Sequence, residues 1–479
     1  MSRVSDPAMR VEWREGEVAV VGLARSGRAA AQLLARAGTR VYASDAGRTS
    51  ELEATAAELR AEHVDVELGR HDLDRIAGAS LVVASPGVPP DAPPFAAARA
   101  GGVDIVSEIE IGLRFLPQLR YIAVTGTNGK TTTTALLGHL LKAVGRRAAT
   151  AGNIGTPLTE LALSRTPPDW IALEVSSFQL HDTPSIDPRV GLLTNLSANH
   201  LDRYTSVDEY YGDKALLFRN ATAESTWVLN ADDADVQAMT RGVRGLRAGF
   251  SVASSGDVAL RSEARFDRAA GDLVVLGERL ISRDELPLLG DHNVANALSA
   301  ALAVMLADRM HRTPNAIERL REGLRSFSAL EHRIETVGEF GGVTWINDSK
   351  STNVASTLVA LRGMARPTVL LLGGRHKGEP YTALADELRR TGRAVVAYGE
   401  AAPLIEQDLS GVVPLTRVGS SFDDVIATAR RLAQPGDVVL LSPACSSYDM
   451  FDNYEQRGAT FKDLAPLASA SSPSVAARP

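Results

Sequence analysis

The stretch AVTGTNGKTTTT, residues 123–134, constrains this chain more than any other. It follows the apolar run Tyr121-Ile-Ala-Val124 and precedes the helix-like Ala135-Leu-Leu-Gly-His-Leu-Leu-Lys142, so it reads as strand, glycine loop, helix. A helix N-terminus offers unpaired backbone N–H groups, and Gly126 and Gly129 let such groups approach a polyphosphate. Lys130 adds a point charge for the phosphates and Thr131 a hydroxyl for Mg²⁺. Thr127, Asn128 and Thr132 complete the candidate ATP-binding loop. The common phosphate loop sets its lysine six positions after the first glycine. Here Lys130 lies four after Gly126, which makes this a shortened variant. A plain structural turn would not also carry Lys-Thr between strand and helix.

A chain of 479 residues is long enough for roughly three domains, each burying its own core. The balance of 51 Lys and Arg against 58 Asp and Glu, a net charge of −7, gives no global basic field for nucleic acid. Anionic ligands then need local basic sites. The single cysteine, Cys445, excludes an internal disulfide and thiolate zinc clusters, which fits a reducing cytoplasm. The least polar helical stretch, 297–307, falls short of the roughly 20 residues that cross a bilayer, and residues 1–17 lack an apolar signal core. The expectation is a soluble cytoplasmic monomer with no membrane partner and a short frayed start.

From Glu17 the chain runs EVAVVGLARSGRAAAQLLARAGTRVYASD, a Rossmann-like strand, glycine turn, helix and strand ending at Asp45. The turn GLARSG departs from G-x-G-x-x-G, since Ala24 replaces the second glycine, and both a ligand site and a structural turn remain open. Leu81–Gly87 and the run 105–111 follow as further strand signals. In the second section, apolar strands at Trp170–Ser177, Val190–Leu196 and Ser225–Asn230 end in polar residues, the edge where doubly wound sheets bind ligands. Glu174 is an acid inside an apolar strand, costly unless it binds metal or is paired in a salt bridge. Residues 249–286 alternate as a small β insertion. In GDHNVANALSAALAVMLAD, Asn293 and Asn296 share a helix face, suited either to capping or to an amide-rich ligand such as adenine. The third section alternates strands and helices again and ends in a Ser/Ala/Pro-rich tail. The expected fold class is α/β with three domains: a Rossmann-like domain at 1–108, a central phosphate-loop ATPase domain with a mostly parallel sheet and a small β part at 109–329, and a Rossmann-like domain at 330–468, followed by a disordered tail at 469–479.

Taken together, TGTNGKTTT, GNIGTP, EVSSFQL, NHLDRY with Tyr210 and Lys214, GDHNVAN, EHRIE, INDSKSTN, LLGGRHKG and SPACSSYDMFDNYEQRG resemble the Mur ligases. Within that family, SSFQL and SPACSSYDMF…NYEQRG are similar to the members that add D-glutamate to UDP-N-acetylmuramoyl-L-alanine in peptidoglycan synthesis. The resemblance implies an ATP-dependent carbon–nitrogen ligase that forms an acyl phosphate and lets an amine displace phosphate. It implies Lys130 on the β/γ-phosphates, Thr131 and Glu174 on one Mg²⁺, and His200 on a second, with Lys214 as a carbamate because an ammonium cannot ligate metal. It points to Asn153, Asn293 and Asn296 for adenine, Arg333 and Asp348 for ribose or phosphate, and Lys350 for the γ-phosphate. Thr352 and Lys377 match positions holding one D-glutamate carboxylate, and Ser447 and Tyr454 the other. Ser26 and Asp45 would serve the UDP precursor. Family members often place Thr-Arg after that acid, whereas this chain has Ala46, Gly47 and Arg48, so Arg48 takes the role with a one-residue shift.

Overall fold

The computed structural model describes residues 16–198, 204–253, 262–328, 330–419 and 421–466. The frayed start expected before Glu17, the expected tail at 469–479 and His200 lie outside them. The first sheet holds β1 (Glu17–Val21), β2 (Arg40–Asp45), β3 (Asp65–Leu68), β4 (Leu81–Ala84) and β5 (Ile105–Ser107), all parallel, in the order β3-β2-β1-β4-β5. The central strands β1 and β4 are apolar, mostly buried runs, as expected of strands covered on both faces of a parallel sheet. The chain order reverses beside β1, and in such sheets ligands bind at the carboxyl ends near that point. The run 105–111 is not one strand. The Ser107 hydroxyl accepts from Glu110 N at 3.2 Å, an N-cap that ends β5 and starts the helix Glu108–Phe115.

The second sheet comprises β6 (Arg120–Thr125), β7 (Ala148–Gly152), β8 (Trp170–Glu174), β9 (Val190–Leu193), β10 (Thr226–Asn230), β11 (Leu246–Ser251), β12 (Ser262–Asp267), β13 (Asp272–Val275) and β14 (Glu278–Ser282). Its order is β14-β13-β12-β11-β10-β9-β6-β8-β7. Strands β6 to β11 pair in parallel, while β12, β13 and β14 form an antiparallel meander that extends the same sheet. The helix Lys130–Ala143 packs over β6 to β8, with Leu136, Leu137, Leu140 and Leu141 fully buried. The third sheet holds β15 (Glu335–Phe340), β16 (Val343–Asn347), β17 (Thr368–Gly373), β18 (Gly392–Tyr398), β19 (Leu415–Arg417) and β20 (Val438–Leu441), ordered β15-β16-β20-β17-β18-β19. Only β15 runs antiparallel to its neighbour.

The chain is thus a three-domain α/β protein. By compactness it divides into two units, Met1–Glu285 with Ala295–Ser326, and Leu286–Val294 with Phe327–Pro479. None of the described helices is long and apolar enough to cross a membrane.

Candidate active site

Between β6 and the helix Lys130–Ala143, Gly126 (φ +138°) and Gly129 (φ +81°) adopt backbone conformations that side chains rarely tolerate. A Cβ on Gly126 would meet Thr194 Oγ1 at 2.0 Å, and one on Gly129 would meet Asn296 Oδ1 at 2.6 Å. The outer side of the loop is tied down by residues just past β9. Thr127 N donates to Asn195 O at 2.9 Å and Asn128 N to Asn195 Oδ1 at 2.9 Å. Asn195 Nδ2 and Thr194 Oγ1 both donate to Asn128 O, at 3.0 and 2.7 Å. Sequence reasoning missed Thr194 and Asn195; their polar types after the apolar run 190–193 were the available signal.

Lys130 Nζ donates to Gly126 O at 2.9 Å and to Thr127 O at 2.8 Å. Lys214, on the helix Val207–Ala215, reaches the same Gly126 carbonyl at 2.7 Å and lies 4.6 Å from the centroid of the Tyr210 ring. Its side chain is buried, so it is not a solvated helix lysine. Burial first, and then the neighbouring Lys130 charge, pull the Lys214 pKa well below the usual amine range, against opposing pulls from Asp213 and Glu174. Both causes favour the neutral amine.

Glu174 ends β8, in register with Val124 of β6, so it stands beside the loop. It is buried; Oε1 accepts from Asn153 Nδ2 at 2.8 Å, and Oε2 is buried with no hydrogen-bond partner. Among the described residues no salt bridge involves Glu174. A buried carboxylate oxygen without a donor is unfavourable, and a hard cation supplies what it lacks. Thr131 is buried in the first turn of the helix Lys130–Ala143 and carries a hydroxyl oxygen. Among the described residues no three His, Cys, Asp or Glu gather as a metal cage. Mg²⁺ takes one or two protein oxygens and completes its shell with water and phosphate. Asn153 is found orienting Glu174. Asn296 Oδ1 accepts from Thr133 Oγ1 at 3.1 Å beside the loop, and Asn293 Nδ2 donates to Leu289 O at 2.8 Å. Thr127 and Thr132 are buried within the loop and the first turn.

In the first domain Gly22 has φ +89°, and a Cβ on Gly27 would lie 1.8 Å from Gly22 O, so the turn needs both glycines. Ser26 is half-buried in the first turn of the helix Arg25–Arg36. Asp45 holds the turn: Oδ2 accepts from Leu23 N at 2.8 Å and Oδ1 from Gly47 N at 2.7 Å. Arg48 is exposed, 3.3 Å from Glu53. Arg25 donates to Gly155 O at 3.0 Å and pairs with Glu160 at 3.3 Å, joining this turn to the GNIGTP loop that carries Asn153.

In the third domain Asp348 is buried, accepting from Ser442 Oγ at 2.7 Å and Ile334 N at 3.2 Å. Burial raises its pKa to about 6, while Ser351, Ser442 and the Arg333 charge pull the other way. Lys377 Nζ donates to Thr352 Oγ1 at 3.3 Å, and Lys350 Nζ lies 5.1 Å from the Tyr454 ring centroid. Ser447 is buried, its carbonyl accepting from Met450 N and Phe451 N at 3.1 and 2.9 Å. A backbone bridge between Arg375 and Ser446 links the Lys377 loop to the Ser447 loop.

Family models match along most of the chain: Mur ligase MurD-like, N-terminal domain over residues 16–107, Mur ligase middle domain over 124–304, and Mur ligase, glutamate ligase domain over 332–445. The UDP-N-acetylmuramoylalanine–D-glutamate ligase of Salinibacter ruber is 41% identical over 472 residues, covering 95% of this chain and 98% of its own. That of Anaeromyxobacter dehalogenans is 41% identical over 462 residues, with the same coverage of 95% and 98%. Among solved structures, the UDP-N-acetylmuramate-alanine ligase of Thermotoga maritima shares the fold with a TM-score of 0.58 at 19% identity, covering 94% of this chain and 98% of its own.

Proposed function

This chain belongs to the Mur ligase family, and from that premise we propose that it joins D-glutamate to UDP-N-acetylmuramoyl-L-alanine at the expense of ATP. It is an ATP-dependent carbon–nitrogen ligase of peptidoglycan precursor synthesis, acting in the cytoplasm as a monomer. The precursor carboxylate attacks the γ-phosphorus, ADP leaves, and the amine of D-glutamate then displaces phosphate from the acyl phosphate to form the amide. The observation that carries the reading is the convergence of Lys130, Lys214 and Glu174 around the Gly126 turn in a chain similar over nearly its whole length to D-glutamate ligases.

Two anions must meet in the first step, so the site has to offset their repulsion and the charge spreading over the phosphoryl group. Lys130 and the N–H groups at the start of its helix bind and orient that group. Thr131 and Glu174 would hold Mg²⁺, with His200 and Lys214 on a second ion; bound there, Mg²⁺ lowers the charge repulsion between ATP and the carboxylate. For Lys214 to take that part, its neutral amine adds to the carbon of CO₂ and loses a proton, giving a carbamate. Its burial beside Lys130 supports this, because only the uncharged amine has a lone pair to react. Asn296, Asn293 and Asn153 serve the nucleotide and Glu174. Ser26, Asp45 and Arg48 receive the UDP end, with Asp45 acting through the turn it closes. In the third domain Asp348, Arg333 and Lys350 act on ATP, and Thr352, Lys377, Ser447 and Tyr454 on D-glutamate.

The test is phosphate release from ATP with UDP-N-acetylmuramoyl-L-alanine and one amino acid at a time. D-glutamate is expected to exceed D-alanine and L-lysine by roughly 10²-fold, since donors built for two carboxylates are left unsatisfied by one. Equal turnover with all three refutes the assignment.

A further inference from the structure

Arg457 stands on the helix Tyr454–Leu464 and is 0% exposed. Its Nε donates to Ser349 Oγ at 3.0 Å and its Nη2 to Ser349 O at 2.8 Å, while Nη1 and Nη2 both reach Cys445 O at 3.2 Å. Ser349 Oγ in turn donates to Tyr454 O at 2.8 Å. On a third side the packing is closed by Gly374, where an added Cβ would lie 3.2 Å from Nη1. Loops leaving the carboxyl ends of β16, β17 and β20 therefore meet on one guanidinium. The first loop carries Lys350 and Thr352, the second Lys377, the third Ser447, and the helix itself Tyr454. Burying a cation this deeply is costly, and a packed apolar side chain could fill the space at less expense. What an apolar residue cannot do is tie two loops together at set distances by hydrogen bonds while packing against a third, which a rigid planar fork of N–H donors does.

We propose that Arg457 is a positioning residue for the amino-acid acceptor, setting the spacing between the side chains that receive its two carboxylates. The proposal rests on the reading of D-glutamate as acceptor. An error of about 1 Å in such a site costs roughly 10²-fold in rate, so a substitution that keeps the charge but loses the fork should be felt chiefly through the acceptor.

The experiment measures turnover of the full chain against D-glutamate, ATP and precursor in turn, alongside thermal melting, for the wild type, Arg457→Lys and Ser349→Ala. Arg457→Lys is expected to melt cooperatively and to raise the KM for D-glutamate about tenfold or more, with the KM for precursor unchanged. Ser349→Ala, which removes one of the four guanidinium bonds together with the Ser349 Oγ bond to Tyr454 O, should raise the same KM by a smaller factor, and it decides the matter if Arg457→Lys does not fold. A folded variant with a wild-type KM for D-glutamate, or an equal rise for D-glutamate and precursor, overturns the proposal. Wild-type enzyme without preference for D-glutamate over D-alanine overturns the underlying reading as well. A D-glutamate-preferring wild type with an unmoved variant sinks the role of Arg457 alone.

Discussion

In the first domain the turn from Gly22 to Gly27 is closed by a carboxylate, whereas in the central domain the turn from Gly126 to Gly129 is closed by two lysines. Asp45 takes the N–H groups of Leu23 and Gly47, while Lys130 and Lys214 both donate to Gly126 O. Both turns join a strand to a helix and both demand glycine for steric reasons. They differ in the charge that neighbouring elements bring to them. A turn neutralised by an acid from the next strand can hold a ligand without pulling on its electrons. A turn beside the Lys130 ammonium in a buried site favours negative charge that develops during reaction. The glycines set the backbone, and the next strand or helix decides the chemistry.

The largest effect that would test this contrast is Lys130→Ala, expected to lower acyl phosphate formation by about 10²-fold to 10³-fold while binding of the UDP precursor to the first domain, measured without ATP, stays nearly intact. Hydroxylamine trapping of the acyl phosphate and calorimetry of precursor binding read the two halves; wild-type trapping would remove the shortened loop from the reaction. Next, Lys214→Ala should lose about 10²-fold in turnover and regain part of it with acetate or formate at constant ionic strength, but not with methylammonium. Lys214→Arg should match the alanine variant, since guanidinium keeps its charge and cannot ligate metal. Rescue by the amine would make Lys214 a cation and end the carbamate role. Asn153→Ala, which frees Glu174 Oε1, should raise the Mg²⁺ needed for half-maximal rate by about tenfold. Asp45→Ala should act on the other turn, raising the precursor KM and lowering stability by about 1–3 kcal/mol with kcat retained at saturation.

The smallest effect concerns the joint between these two domains. Glu108 Oε1 accepts from Thr159 N and Oγ1 at 2.6 and 2.7 Å, and burial raises its pKa to about 7 from an ordinary 4.5. A carboxyl that binds its proton more tightly when folded stabilises the fold fully below the unfolded pKa. That contribution is lost as pH rises toward 7. Glu108→Gln should therefore flatten the fall in melting temperature between about pH 4.5 and 7, with turnover unchanged; equal slopes in the two proteins would show that Glu108 ionises normally.

Both glycine turns were legible in the sequence because their signals are local: an apolar strand, glycines at short spacing and a helix-forming run within some twenty residues. The lysine of the central turn was legible for the same reason. Thr194 and Asn195 were not, because they meet the loop from 66 and 67 residues away and only the register of β9 against β6 brings them there. Arg457 was read as part of a motif but without a task, since its bond to Ser349 spans 108 residues and its full burial contradicts what an arginine usually does. The run 105–111 misled for a further reason. Apolar residues at short spacing serve strand and buried helix equally, and only the hydroxyl of Ser107 capping Glu110 N decides between them.

Cys445 is the sole thiol of the chain, and it is buried, with Tyr381 Oη 3.0 Å from its sulfur and its pKa pushed up to about 11. A thiol that is neither exposed nor ionised reacts slowly with electrophiles. The unmodified enzyme is therefore a silent background for maleimide chemistry, so fluorophores attached at single introduced surface cysteines would report on each domain without first removing a native residue.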